Sequence, residues 1–199
     1  MNKSRLEAFT DAVIAIIMTI LVLELEMPES ASFTALWGLR FQFLIYLVSF
    51  LTLAIYWNNH HHMFQASRHV SGKVMWLNIM LLLLLSLFPF TTAWMSHHVN
   101  GRAPELLFGI IMLAADIGWV LVGQALCEEN GPDSLIAKAV RSSGVGKSKI
   151  TIALVSAGIA VGIWVPMATL VACALSLIPW IIPDRDIEKW LHEKKGGEG

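Results

Sequence analysis

The sequence predicts an all-α, polytopic membrane protein with six transmembrane helices. Three observations carry that prediction. Only 15% of the 199 residues are charged and 56% are hydrophobic, whereas a soluble domain carries about 25% charged residues. Several apolar runs reach the roughly 20 residues that a helix needs to cross a bilayer. Lysine and arginine are also sorted to one side of a six-span topology, as the positive-inside rule requires.

The first span is predicted over 5–27. It opens with Arg5, Glu7 and Asp11, is apolar from Ala12 to Leu23 apart from Thr19, and is stopped by Pro28. Lys3, Arg5 and the small residues Ser30-Ala31-Ser32 have some look of a cleaved leader. Asp11 interrupts that pattern and Glu24, Glu26 and Pro28 follow it, so the segment reads as mature structure. The second span, over 36–62, begins near Trp37 and Arg40 and ends in Tyr56-Trp57-Asn58-Asn59-His60-His61-His62. Such a polar and aromatic end suits a membrane interface.

The third span, over 74–95, contains Pro89, tolerated in a membrane helix where neighbours satisfy the freed carbonyl. The fourth, over 105–127, carries Asp116 near its middle. Glu128 to Lys149 reads as the longest polar connection, a cationic loop in its second half. Residues 150–182 are too long for one span and short for two. Gly162 to Pro166 is the natural break, which predicts a tight hairpin with spans over 149–164 and 166–182. A charged tail over 184–199 is expected to start helical. The whole chain reads as one domain without an internal repeat.

With the N-terminus cytoplasmic, 12 of the 14 basic residues fall on the cytoplasmic side: Lys3, Arg5, Arg68, Lys73, Lys138, Arg141, Lys147, Lys149, Arg185, Lys189, Lys194 and Lys195. Only Arg40 and Arg102 lie outside. A five-span chain would place the last four basic residues on the wrong side. Both termini are therefore expected in the cytoplasm.

Several function classes lose support at this level. A net charge of −1 gives no field for nucleic acid. Cys127 and Cys173 offer neither a disulfide framework nor a Cys-x-x-Cys metal pair. The consecutive His60, His61 and His62 point about 100° apart on a helix and cannot converge on one ion. Gly144-Val145-Gly146-Lys147-Ser148 ends like a phosphate-binding loop but has Arg141 where the first glycine is needed. No nucleophile, base and orienting group cluster, so no enzyme and no cofactor are expected.

On a helical wheel Arg5, Phe9, Ala12, Ile16, Thr19, Ile20, Leu23 and Met27 share one sector. The spacing 9, 12, 16, 19, 23 is the seam of a left-handed helix bundle. Asp11 lies off that seam, on a flank with Ala15 and Met18. Such a stripe is most often ordinary packing. It also suits copies of this helix meeting around an axis, where Ile16, Ile20 and Leu23 form apolar rings that gate ions by dewetting. Glu24 and Glu26 would stand at the outer end, either as a cation-attracting mouth or as a solvated rim. A coupled carrier using Asp11, His60 and Asp116 is the alternative, because intramembrane ionisable groups are often functional. A membrane assembly factor without flux is a third class.

The opening Arg5-x-x-x-Phe9-Thr10-Asp11 resembles the R-x-x-x-F-S-D signature of the transmembrane protein 175 family, the endosomal and lysosomal potassium channels and their prokaryotic homologues. Trp57-x-x-His60-His61-x-x-Phe64 is similar to that family's pattern at the end of the second span. Asn78 and Leu87-Phe88-Pro89-Phe90-Thr91 are similar to its third span. The resemblance implies a homotetramer of six-span subunits whose first helices line the pore. It puts the main constriction at Ile16 and further pore-lining turns at Thr19 or Ile20 and at Leu23. Arg5, Phe9, Thr10, Asp11, Trp57, His60 and Asn78 would form a network clamping the pore helix. One departure is Thr10 where the family has serine. No Thr-Val-Gly-Tyr-Gly stretch exists, so a carbonyl cage is excluded and K+ over Na+ selectivity should be modest. The expected partners are further copies of the chain, membrane lipid and K+, with other monovalent cations admitted. The expected location is the cell membrane of a prokaryote.

Overall fold

The computed structural model describes residues 2–181, with the side chain of Ser143 set aside. The tail predicted over 184–199 lies outside the described residues. Within them the chain is helical, with ten α-helices joined by short turns. Five stretches are long and apolar enough to cross a membrane: Lys3–Leu23, Arg40–Gln65, Gly72–His97, Arg102–Asn130 and Val145–Gly162. Met167–Ile181 is a shorter apolar stretch. The protein is a multi-pass integral membrane protein.

α1 (Lys3–Leu23) starts where the Asn2 side chain caps Ser4 N at 3.3 Å. It ends four residues before the predicted limit of Met27. Pro28 disfavours helical backbone at Met27, and Glu26 is drawn sideways into contacts described below. The second span is split where one helix was expected. α2 (Phe33–Gly38) is a short surface helix capped by Ser32, and α3 (Arg40–Gln65) crosses the membrane and outruns its predicted end at His62.

α4 (Gly72–Leu85) and α5 (Phe88–His97) together make the third span, bent at Ser86–Leu87. Pro89 causes the bend, because its ring clashes with the carbonyl four residues back and it has no N–H to give. Hydroxyls serve carbonyls around the bend: Ser86 donates to Leu83 O at 2.7 Å, and Thr91 to Phe88 O at 3.1 Å. α6 (Arg102–Asn130) is the longest helix, stopped by Gly131 at φ 86°.

The segment expected as a cationic loop is largely helical. α7 (Leu135–Ala139), capped by Ser134, runs through a π-helical turn (Val140–Gly144) into α8 (Val145–Gly162). Gly144 and Gly146, expected in a loop, lie within this helical run. The wider π turn absorbs the extra residue without ending the helix, and the neighbours Ile136, Ala137 and Ala139 are buried. The chain then breaks over 163–166 and returns as α9 (Met167–Ser176) and α10 (Ile178–Ile181).

α8 and α9 approach closely through small residues. A Cβ on Gly158 would overlap that of Ala172, and one on Gly162 would overlap the Thr169 hydroxyl. α6 is the hub, packed against α4, α5, α8 and α9. α1 sits at one side and rests mainly on α3, α4 and α5. That lateral position leaves much of α1 uncovered within one subunit.

Candidate functional site

α1 has two faces of opposite fate. Leu6, Thr10, Ile14, Ile17 and Leu21 are buried, at spacings of three and four. That stripe packs on α3, α4 and α5. On the other side Phe9, Ile16, Ile20 and Leu23 are exposed, Ile16 at 59% and Leu23 at 78%. Arg5, Ala12 and Thr19 are exposed with them. The predicted seam is therefore the face that the subunit's own core does not use. Thr19 Oγ1 donates to Ile16 O at 2.8 Å. Its proton is spent inside the helix, and its remaining lone pairs are what it can offer to a cation.

The clamp is made by hydrogen bonds across large sequence distances. Asn78 Nδ2 on α4 donates to Thr10 Oγ1 at 2.8 Å. Asn78 Oδ1 faces His60 Nε2 on α3 at 2.9 Å, which casts that nitrogen as the N–H donor. Thr10 and Asn78 are fully buried and His60 nearly so. His60 stacks on Phe64 at 4.2 Å between ring centroids. One turn back on α3, Trp57 Nε1 donates to Asp11 Oδ1 at 3.0 Å. The four side chains Thr10, Asp11, Trp57 and His60, with Asn78, thus join α1 to α3 and α4. Thr10 keeps the hydroxyl this contact needs, and its methyl finds room.

Arg5 and Phe9 stand apart from that network. Both are exposed on the seam side. Lys3 provides a different tie at this end, donating to Ser67 O at 2.8 Å.

The outer end of α1 is hooked as well. Glu26 Oε1 lies 2.8 Å from His97 Nδ1 at the end of α5, and Gln42 Nε2 at the start of α3 donates to Glu26 Oε2 at 2.8 Å. Glu26 is held against its own bundle, while Glu24 is exposed. Gln42 and His97 were not anticipated. A lone amide opening an apolar run was the signal for Gln42. His97 gave none.

Asp116 binds neither the α1 motif nor His60. Tyr56 Oη on α3 donates to its Oδ1 at 2.5 Å. Asp11 and His60 stand together in the clamp with different hydrogen-bond partners, while Asp116 is bonded to Tyr56, so the three share no direct hydrogen bond.

The family model described as the endosomal/lysosomal potassium channel TMEM175 matches residues 5–89, the stretch holding α1 and its clamp. A protein of a Chryseobacterium species, named as a potassium channel, is 38% identical over 193 residues, covering 97% of this chain and 100% of its own. Another so named, from Streptomyces collinus, is 33% identical over 123 residues, 57% of this chain and 60% of its own. The crystal structure of a lysosomal potassium-selective channel TMEM175 homologue from Chamaesiphon minutus is similar with a TM-score of 0.65 and 27% identity, over 89% of this chain and 97% of that one.

Proposed function

The chain belongs to the TMEM175 family, and from that premise we propose that it is a potassium-permeable channel in which four copies set their α1 helices around one axis. The observation that carries this reading is the uncovered face of α1. Ile16, Thr19, Ile20 and Leu23 are exposed in one subunit although they lie in the middle and outer part of a membrane helix. An α1 face turned to lipid would not need Thr19. A face turned to a shared axis would place a hydroxyl ring between apolar rings.

Ile16 forms the main constriction in this reading. A narrow ring of isoleucine disfavours water, and an ion must shed hydration to pass. Thr19 oxygens, with their protons committed to Ile16 O, replace part of that hydration. Hydroxyl rings hold an ion less tightly than a carbonyl cage, so selectivity for K+ over Na+ is modest. No cofactor and no enzymatic step enters, and other monovalent cations are admitted.

The topology completes the proposal. α1, α3, the α4–α5 pair, α6, α8 and the α9–α10 pair serve as six spans of a single domain. Both termini face the cytoplasm of a prokaryotic cell, as the placement of lysine and arginine supports. Arg5 and Phe9, free on the seam side, complete the clamp across to the neighbouring subunit. Glu24 stands nearest the outer mouth.

Flux of K+ into liposomes down a potassium gradient tests the assignment. Ile16→Asn should raise flux about tenfold or relax selectivity, since each ~1.4 kcal/mol removed from a barrier is about tenfold in rate. A variant that assembles normally and leaves both quantities unchanged would show that Ile16 does not line the path.

A further inference from the structure

We propose that Asp116 and Tyr56 form an exchangeable proton-binding site inside the membrane, separate from the α1 pathway. The site lies between α3, α6, α8 and the α9–α10 pair. Tyr56 Oη holds Asp116 Oδ1 at 2.5 Å. Asp116 Oδ2 is buried and has no hydrogen-bond partner. Among the described residues no cation forms an ion pair with Asp116. A lone carboxylate with an unmatched oxygen in this setting is cheapest to carry as its neutral acid.

A half-open pocket adjoins the pair, with room for about one water. Thr52, Asn59, Thr151 and Trp180 line it beside Tyr56 and Asp116. Thr151 and Trp180 are already joined, Trp180 Nε1 donating to Thr151 Oγ1 at 2.8 Å. Three aromatics stand in its wall, with Tyr56 edge-on to Trp119 and Trp119 edge-on to Trp180. Asp116 is the one carboxylate among the lining residues, which suits a water and a proton better than a divalent metal ion held by about six or more oxygens.

The groups that could compete are few. Tyr56 faces Asp116 from α3, and the buried Cys173 faces it from α9. α8 and α10 present Thr151 and Trp180, which do not titrate. Lys147, on α8, stands over the Trp180 ring at 5.9 Å. The step is a simple proton transfer. A proton delivered through a water in the cavity adds to the free carboxylate oxygen, and Tyr56 keeps its O–H and its hydrogen bond throughout. Occupancy is felt by α3, because Tyr56 precedes Trp57 and lies one turn before His60.

Infrared difference spectroscopy of the full-length protein in lipid tests the site without requiring channel activity. The carbonyl stretch of a protonated carboxyl should be present at acid pH and disappear at alkaline pH. It should be lost in Asp116→Asn, which keeps the size of the side chain, and should shift in frequency in Tyr56→Phe. Glu105→Gln is the control, since Glu105 is a second carboxyl on α6 and is buried at 1% exposure. Elution of each variant at the wild-type position shows that it is folded. If no Asp116-dependent band changes with pH, or if the titrating band is lost only in Glu105→Gln, the proposal is overturned.

Discussion

Asn78 does more for the position of α1 than either charge in the opening motif. Its amide serves Thr10 with the nitrogen and His60 with the oxygen, and all three groups are out of contact with solvent. Replacing it strands two buried polar groups, each at a cost of about 1–3 kcal/mol. Asn78→Ala should therefore lower the apparent melting temperature of the detergent-solubilised protein by an amount equivalent to roughly 2 kcal/mol or more. Thr10→Val added to Asn78→Ala should cost little further, because one partner is already gone. A double variant whose losses simply add would show that the two groups act independently. Asp11 differs in kind. It is exposed within one subunit and bonded to a single indole, so its worth depends on what the neighbouring copy places against it.

At the scale of elements, the α8–α9 hairpin shows how short apolar helices are held without a water-driven core. Lipid tails are as apolar as leucine, so close backbone approach and hydrogen bonds supply the association. Gly158 and Gly162 permit that approach, and Thr169 donates to Gly158 O at 3.3 Å. Gly158→Val pushes a side chain into Ala172 and should destabilise the protein by about 1–3 kcal/mol, read as a lower melting temperature. K+ flux per folded molecule should hardly change, because α1 rests mainly on α3, α4 and α5. An unchanged melting temperature would mean that the hairpin opens at no cost. At the bend between α4 and α5, where Pro89 has no N–H to give, the Ser86 and Thr91 hydroxyls donate to the nearby carbonyls of Leu83 and Phe88.

The whole molecule is lopsided. α6 packs against four other helices, while α1 shows more than half its circumference. In the proposed tetramer, part of that exposure belongs to the axis and part to the neighbouring subunit. Cysteine substitution separates the two sides of the helix. In a background with Cys127 and Cys173 replaced, Leu23→Cys should be blocked by a water-soluble, thiol-reactive cation, and Leu21→Cys, whose side chain is buried, should not. Equal protection of both positions would place the axis elsewhere.

Much of this was legible before any coordinates. The apolar runs determined the class. The basic residues determined the topology expected for it, and the three-four spacing of Phe9, Ala12, Ile16, Thr19 and Leu23 marked one face of α1 as special. These are local properties, written in composition and in the 3.6-residue repeat. The hidden part was non-local. Trp57 finds Asp11 across 46 residues, and Asn78 finds Thr10 across 68; the hook of Glu26 on His97 and Gln42 has the same character. The helix running through Gly144 and Gly146 was also misread, because burial of its neighbours outweighs the low helix propensity of glycine. Composition and periodicity suffice for a membrane helix with one distinctive seam. That this seam is the face left uncovered is a matter of packing, because coverage depends on where α3, α4 and α5 come to rest against the opposite stripe.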